Sequence, residues 1–253
     1  MATFLLLPPS EGKRSGGTTP WDPGDDALGV ARRTVAKELR AFVRRSSVEQ
    51  RSKLFGVGGE HLERASAAAM SGCVGQPTLP AAQRYSGVVW DHLDLASVPA
   101  NARRHATRHI VVVSALAGFV AAGEPLPDYR LKMSARLGRL GNLATWWSPT
   151  LAVIGKERFA RHTVVDLLPN EHRGAFDPAG IAKRTVLVQF VARSGAHAAG
   201  HAAKAAKGLL ARSLTTAPKI DPVEVCAEFE GAGFAFVDVT PSDFGVTVRI
   251  RAI

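Results

Sequence analysis

The chain has 253 residues, 46% of them hydrophobic, which is enough to bury a core and excludes a disordered polyelectrolyte. Its formal charge is +10, a balance that favours polyanionic partners because each neutralised phosphate releases counterions, although a plain Ala- and Arg-rich residue bias gives the same number. The only cysteines, Cys73 and Cys226, exclude a disulfide framework and a cysteine zinc site, and no apolar run approaches the ~20 residues of a membrane span.

Met1 to Leu7 is too short for a signal peptide and runs into Pro8-Pro9. The expectation is a cytoplasmic protein with reduced thiols and neither metal nor cofactor. Nothing in the pattern sets an oligomeric state.

Thr3 to Leu7 is a short apolar run closed by two prolines and predicts a buried strand. Ser10 to Gly24 is rich in Gly, Pro, Ser and Thr and predicts a loop. Within it Glu11 and Lys13 are either an acid/base pair or a surface ion pair. Asp25 or Asp26 caps a predicted helix to about Arg45. Leu28, Val35, Leu39 and Phe42 fall on one face, and Arg33, Lys37, Arg40 and Arg44 on the other. That basic stripe is either a solvated face or a binding face.

Leu54-Phe55-Gly56-Val57-Gly58-Gly59-Glu60-His61-Leu62 follows. An apolar pair, a Gly-x-Gly turn and a new helix start, within about residues 46–70, are what a helix-hairpin-helix needs. Glycine permits positive φ and a close phosphate, and the next helix start offers unpaired N–H groups. The predicted second helix runs from Gly59 to Met70. Gly72 to Pro80 predicts a loop, Tyr85 to Trp90 a weak strand and Ile110 to Leu116 a buried strand.

Gly123 to Asp128 predicts a Pro-rich turn, and Leu143 to Phe159 a helix carrying Trp146 and Trp147. Those tryptophans suit a core or a base-stacking surface. Thr163 to Leu168 and Thr185 to Val191 predict strands, Gly195 to Leu214 an alanine-rich helix, and Phe234 to Val239 with Val246 to Ile250 a hairpin. Interspersed helices and strands without a linker predict one mixed α/β domain over 1–253, a central mixed sheet wrapped by helices.

Several strand ends carry reactive side chains. Glu171 and His172, after the strand ending near Leu168, suit an acid and a base or simple turn hydrogen bonds. Ser114 ends the valine strand without a Gly-x-Ser-x-Gly elbow, which argues against a serine hydrolase. His197, His201, Lys204 and Arg212 share a face of the late helix, with Lys207 and Gly208 nearby. His197/His201 and His105/His109 have i,i+4 spacing but no acidic third ligand, so a cationic face is the better reading.

These pieces, in this order, resemble the YaaA family of peroxide-stress proteins. The resemblance rests on Leu5-Leu6-Leu7-Pro8-Pro9-Ser10-Glu11-Gly12-Lys13, Val113-Ser114-Ala115-Leu116-Ala117-Gly118, Pro127-Asp128-Tyr129-Arg130-Leu131-Lys132-Met133, Asp166 to His172, and Ala203-Lys204-Ala205-Ala206-Lys207-Gly208. It implies a positively charged cleft lined by Lys13, Arg130, Lys204 and Lys207. It also implies double-stranded DNA binding helped by a hairpin at Gly56 and Gly58, and a role against oxidative damage.

The chain departs from the family pattern at Ala117, Lys132, Pro169 and His172, where that pattern has tyrosine, glutamate, serine and tyrosine. Two functions follow. The first is a non-specific DNA grip through Arg33, Lys37, Arg40, Arg44, Gly56, Gly58, Gly59, Lys207 and Arg212. The alternative is an enzyme for a small anionic, nucleotide-like substrate, with Ser10, Glu11, Lys13, Ser114, Tyr129, Arg130, Glu171 and Lys204 in its cleft.

Overall fold

The computed structural model describes residues 2–253. The first strand is β1, Thr3–Leu7, followed by the two-residue strands β2 (Gly12–Lys13) and β3 (Thr19–Pro20). Helices α1 (Ala27–Arg45), α2 (Val48–Phe55) and α3 (Gly59–Met70) come next. Then follow β4 (Pro77–Pro80), α4 (Ala81–Arg84), β5 (Tyr85–Ser86), α5 (Val88–Leu93) and α6 (Ala100–His109). Strands β6 (Ile110–Ser114), β7 (Gly118–Ala121), β8 (Pro125–Pro127), β9 (Arg136–Leu137) and β10 (Gly141–Asn142) lead into α7 (Leu143–Phe159). The last third holds β11 (Thr163–Asp166), α8 (Asn170–Arg173), β12 (Arg184–Val191), α9 (His201–Thr216), α10 (Pro222–Ala227), β13 (Glu230–Gly231), β14 (Phe234–Ser242) and β15 (Gly245–Ala252).

The main sheet has eight strands in the order β13-β14-β15-β12-β11-β1-β6-β7. Its centre is parallel: β1 pairs with both β6 and β11, β11 with β12, and β12 with β15. The flanks, β6 with β7 and β14 with β15, are antiparallel. Every residue of β6 and β11 is buried, as is Phe4 to Leu7 of β1. Strands buried on both faces read as continuous apolar runs rather than alternating ones, so Leu5-Leu6-Leu7 and Ile110-Val111-Val112-Val113 were legible as strands.

Asp26 caps α1 by accepting from Gly29 N at 2.7 Å. Leu28, Val35 and Leu39 are buried in the core, while Lys37, Arg40 and Arg44 are exposed as the amphipathic pattern requires. Two charged residues of α1 break that pattern because they have inward partners. Arg32 donates to Ala117 O and Phe119 O and pairs with Glu124. Glu38 pairs with Arg139 at 3.0 Å.

Several sequence expectations change. The Gly72 to Pro80 loop and the Gly123 to Asp128 turn hold β4 and β8, which pair antiparallel because backbone bonding to a neighbour, not residue type, makes them strands. Tyr85 to Trp90 is a strand only over Tyr85–Ser86; Gly87 (φ 112) breaks it and α5 begins. The Val88-Val89-Trp90 triplet favours a strand locally, but packing of α5 against α9 overrides that weak preference. The late helix starts at His201, not Gly195, because Gly200 turns at φ 91. His197 therefore lies in a loop, bridged to Val191, and His197 and His201 do not share a helix face.

Gly208 sets how closely α9 approaches α5. A Cβ there would stand 2.4 Å from Val89 O and 2.7 Å from His92 Cβ. Alanine would gain about 1 kcal/mol of helix propensity, but overpacking against a backbone oxygen costs about 1–3 kcal/mol. Gly208→Ala is therefore expected to lower the melting temperature by several degrees. An unchanged or higher melting temperature would mean that the two helices are not in tight contact.

Candidate functional site

The parallel strands β1, β11 and β12 end on one edge of the sheet, and the loops that leave them surround a cleft of about 720 Å³. One wall is Pro8 to Glu11, after β1; a second is Leu168 to Arg173, after β11 and including α8. Gly195, His197 to Gly200, and Lys204 and Lys207 of α9 close the third side, and Val88 to Trp90 of α5 the fourth. From β1 the chain runs to β6 on one side and later to β11 on the other. The cleft thus opens where strand order reverses, the place where open α/β sheets bind ligands.

The cleft floor holds groups whose charge is unsettled by burial. Lys207 Nζ donates to Leu167 O at 2.6 Å, and burial pushes its amine down to about 8, Asp166 only partly offsetting this. Asp166 is itself bonded to Arg173 at 2.6 Å and accepts from Leu168 N at 2.8 Å. The His172 side chain is 7% exposed, and neither ring nitrogen has a hydrogen-bond partner in the chain. Glu171 Oε1 stands 3.6 Å from its Nδ1, too far to bond. Burial, reinforced by the Lys207 charge, pushes His172 down to about 4, so it is neutral near pH 7. Burying an unpaired polar group costs about 1–3 kcal/mol, and folding alone returns nothing for it.

At the outer lip Glu11 is 59% exposed and holds two cations, Arg130 at 2.6 Å and Lys132 at 3.1 Å. Partial burial would raise its pKa, but the hydrogen bond and charge of Lys132, then Arg130 and Lys204, outweigh that and hold the carboxyl below its usual range. Arg130 Nε also donates to Phe55 O, the last residue of α2, at 2.9 Å. Lys13 turns inward: its Nζ donates to Ser10 O at 2.7 Å and lies 4.2 Å from the centroid of Tyr129. Burial there pushes its amine down to about 7. The Tyr129 hydroxyl bonds both Ser114 (2.7 Å) and Tyr85 (2.8 Å), and burial pushes it up to about 12. Ser114 is fully buried and accepts from Leu116 N and Ala117 N. Ser114 and Tyr129 thus brace Lys13 from below and do not face the cleft.

The α2–α3 turn stands beside this lip. Gly56 ends α2 in the left-handed region (φ 65, ψ 34), with its N–H bonded to Ser52 O. The second glycine of the turn differs from expectation: Gly58 is extended (φ −126), a conformation open to any residue, and Gly59 supplies the next positive φ (54). No side chain caps α3, and a Cβ on Gly58 or Gly59 would meet nothing within 4 Å. Gly56, Gly58 and Gly59 are all exposed. A Cβ on Gly56 would meet Lys132 Nζ at 3.3 Å, so Lys132 links the turn to Glu11.

Among the other sequence candidates, Arg33 pairs with Asp25 and with Gly24 O. Arg212 donates to Leu93 O and Asp94 O and serves as a brace between α9 and α5. Lys204 is exposed and Glu171 half-exposed at the cleft. Among the described residues no cluster of three His, Cys, Asp or Glu could hold a metal, and no helix is long and apolar enough to cross a membrane. Sequence reasoning missed Arg64 and Arg84. Arg64 bonds Asp128 and Lys13 O; Arg84 is buried and bonds Arg14 O, Gly16 O, Pro77 O and Leu126 O.

Residues 4–239 match the family model described as peroxide stress protein YaaA. The chain belongs to the YaaA family. A UPF0246 protein of Streptomyces coelicolor is 32% identical over 250 residues, covering 96% of this chain and 95% of that relative. A UPF0246 protein of Corynebacterium glutamicum is 32% identical over 229 residues, covering 85% and 86%. A third, from Ruegeria pomeroyi, is 26% identical over 180 residues, covering 68% and 70%.

His172 gives this YaaA-family member a pH signature. Between pH about 6.5 and about 4 the unfolded chain binds a proton at this residue that the folded chain refuses. More protons on the unfolded state means that stability falls as pH falls through that window. His172→Phe removes this contribution. Urea midpoints taken from pH 7 to pH 4 are expected to decline less steeply in the variant; equal slopes would mean that the imidazole is not buried and neutral.

Proposed function

We propose that this YaaA-family protein acts in the cytoplasm, as a single domain, by gripping duplex DNA non-specifically through its phosphates, in keeping with the peroxide-stress description of the family model. The observation that carries this reading is the α2–α3 turn. It offers uncapped helix amides on open glycines, with Lys132 against it. Amides at a helix start bind phosphate through N–H groups and the dipole's positive end. From the turn, Lys132 and Arg130 lead past Glu11 to Lys204 at the cleft, and Lys37, Arg40 and Arg44 lie exposed on α1, which packs on α3. Glu60 in the first turn of α3 opposes an anion, so cations from neighbouring elements must supply the balance. Such binding positions a protein without reading base sequence.

An enzymatic reading keeps one supporting observation, the cleft at the strand switch with Lys207 and His172 in its floor. Fewer of its residues remain available than the sequence suggested. Ser114 is sealed, Tyr129 is held protonated, and Glu11 is neutralised by two cations.

Gly58→Val tests the DNA reading with little risk to the fold, because φ −126 suits valine and its Cβ meets nothing. The variant is expected to melt like the parent and to bind duplex DNA about tenfold more weakly, the loss of one charge-assisted bond. The slope of log K against log salt is expected to stay nearly the same, because no cation is removed. Unchanged duplex affinity in the folded variant would remove the turn from the interface.

A further inference from the structure

We propose that the cleft is also a binding site for a small phosphomonoester carried on a flat ring, with the phosphate at the amino end of α9 beside Lys204 and the ring against His172, Trp90 and Phe190. This goes beyond the DNA reading and does not depend on it. The cleft volume, about 720 Å³, falls in the range of about 300–1,000 Å³ that encloses small ligands, and a rigid duplex cannot place its backbone against groups buried in such a floor.

Three observations converge on it. First, α9 enters the cleft at Gly200, which offers no side-chain cap, so the first amides of a long helix are unpaired there. Lys204 and Lys207, one turn apart, put two cationic side chains on the same wall, a match for a dianion. Second, His172 lines the same cavity, more than nine-tenths buried, with both ring nitrogens unpartnered. A neutral imidazole carries one donor and one acceptor. The two nitrogens point away from each other, so they call for two separate polar atoms, as a ring nitrogen and a sugar hydroxyl of one nucleoside-sized body provide. Third, the remaining walls are flat and apolar. Trp90 is fixed by its Nε1 bond to Pro8 O, and the Phe190 ring lies under the Lys207 amine. Such surfaces stack a planar body.

Calorimetric titration of the full chain with AMP, adenosine and inorganic phosphate tests the proposal. AMP is expected to bind at least about tenfold more tightly than adenosine or phosphate alone. Lys204→Gln and His172→Phe are each expected to weaken AMP at least about tenfold. Lys219→Gln, an equal loss of charge beyond the far end of α9, is expected to leave AMP binding unchanged. Without ligand, His172→Phe is expected to melt no lower than the parent, since it removes two unpaired buried atoms; this separates a binding residue from a structural one. The proposal is overturned if AMP binds no tighter than its two halves, or if folded His172→Phe keeps the parent's affinity for AMP.

Discussion

Guanidinium groups bonded to backbone carbonyls hold the loop that leaves β1, and the site depends on them. That loop has only Gly12–Lys13 and Thr19–Pro20 as regular structure. Arg84, buried, binds Arg14 O and Gly16 O from below and ties them to Pro77 and Leu126. Arg64 of α3 binds Lys13 O, and Arg130 binds the Glu11 carboxylate while capping α2 at Phe55 O. Burying a guanidinium is costly unless its donors are all answered. Carbonyls of an irregular loop answer them, and the loop gains a fixed shape in return.

The sheet explains why the chemistry gathers where it does. Its central strands are mostly apolar and buried on both faces, so polar side chains gather at the last residues of the strands, as Ser114 and Asp166 do, and in the segments beyond them. The loops after β1, β11 and β12 deliver them to one edge. There the chain builds two surfaces that share a border. The α2–α3 turn is open and shallow, the shape that the proposed backbone-phosphate contact requires. The cleft is deeper and partly apolar, suited to a small molecule. Glu11, Arg130 and Lys132 form the border. In the cleft floor, burial depresses Lys207 and His172 together, and the Lys207 charge helps to keep the imidazole neutral.

Much of this was legible in the sequence, for physical reasons. The bounds of β1, α3 and α7 followed from apolar runs and end signals, and the Asp26 cap from its position before a periodic segment. The start of α9 was placed too early because alanine-rich sequence favours a helix on both sides of Gly200, and only the backbone turn there breaks it. α5 looked like a strand because its fold is decided by α9, far along the chain. Glu11, Lys204 and Lys207 line the cleft as their places at a strand end and on a helix face suggested, whereas Lys13 and Arg130, expected there too, lie outside its lining. Arg64 and Arg84 were not found, because their partners are backbone carbonyls with no residue-type signal. The roles of Ser114 and Tyr129 inverted for a similar reason: a hydroxyl looks the same in sequence whether it faces a cleft or a buried hydrogen-bond network.

The central proposal is that the α2–α3 turn and the cations beside it grip duplex phosphates, with Glu11 holding Arg130 and Lys132 back. Duplex DNA binding by Glu11→Gln across a range of salt concentrations tests it most directly. The substitution removes the only anion holding Arg130 and Lys132 among the described ion pairs, at an exposed position, and keeps an amide oxygen that can still accept from Arg130. The account predicts tighter binding and a slope of log K against log salt steeper by roughly one to two, as both cations become free for phosphates. Unchanged affinity and slope, or weaker binding by the folded variant, would contradict it.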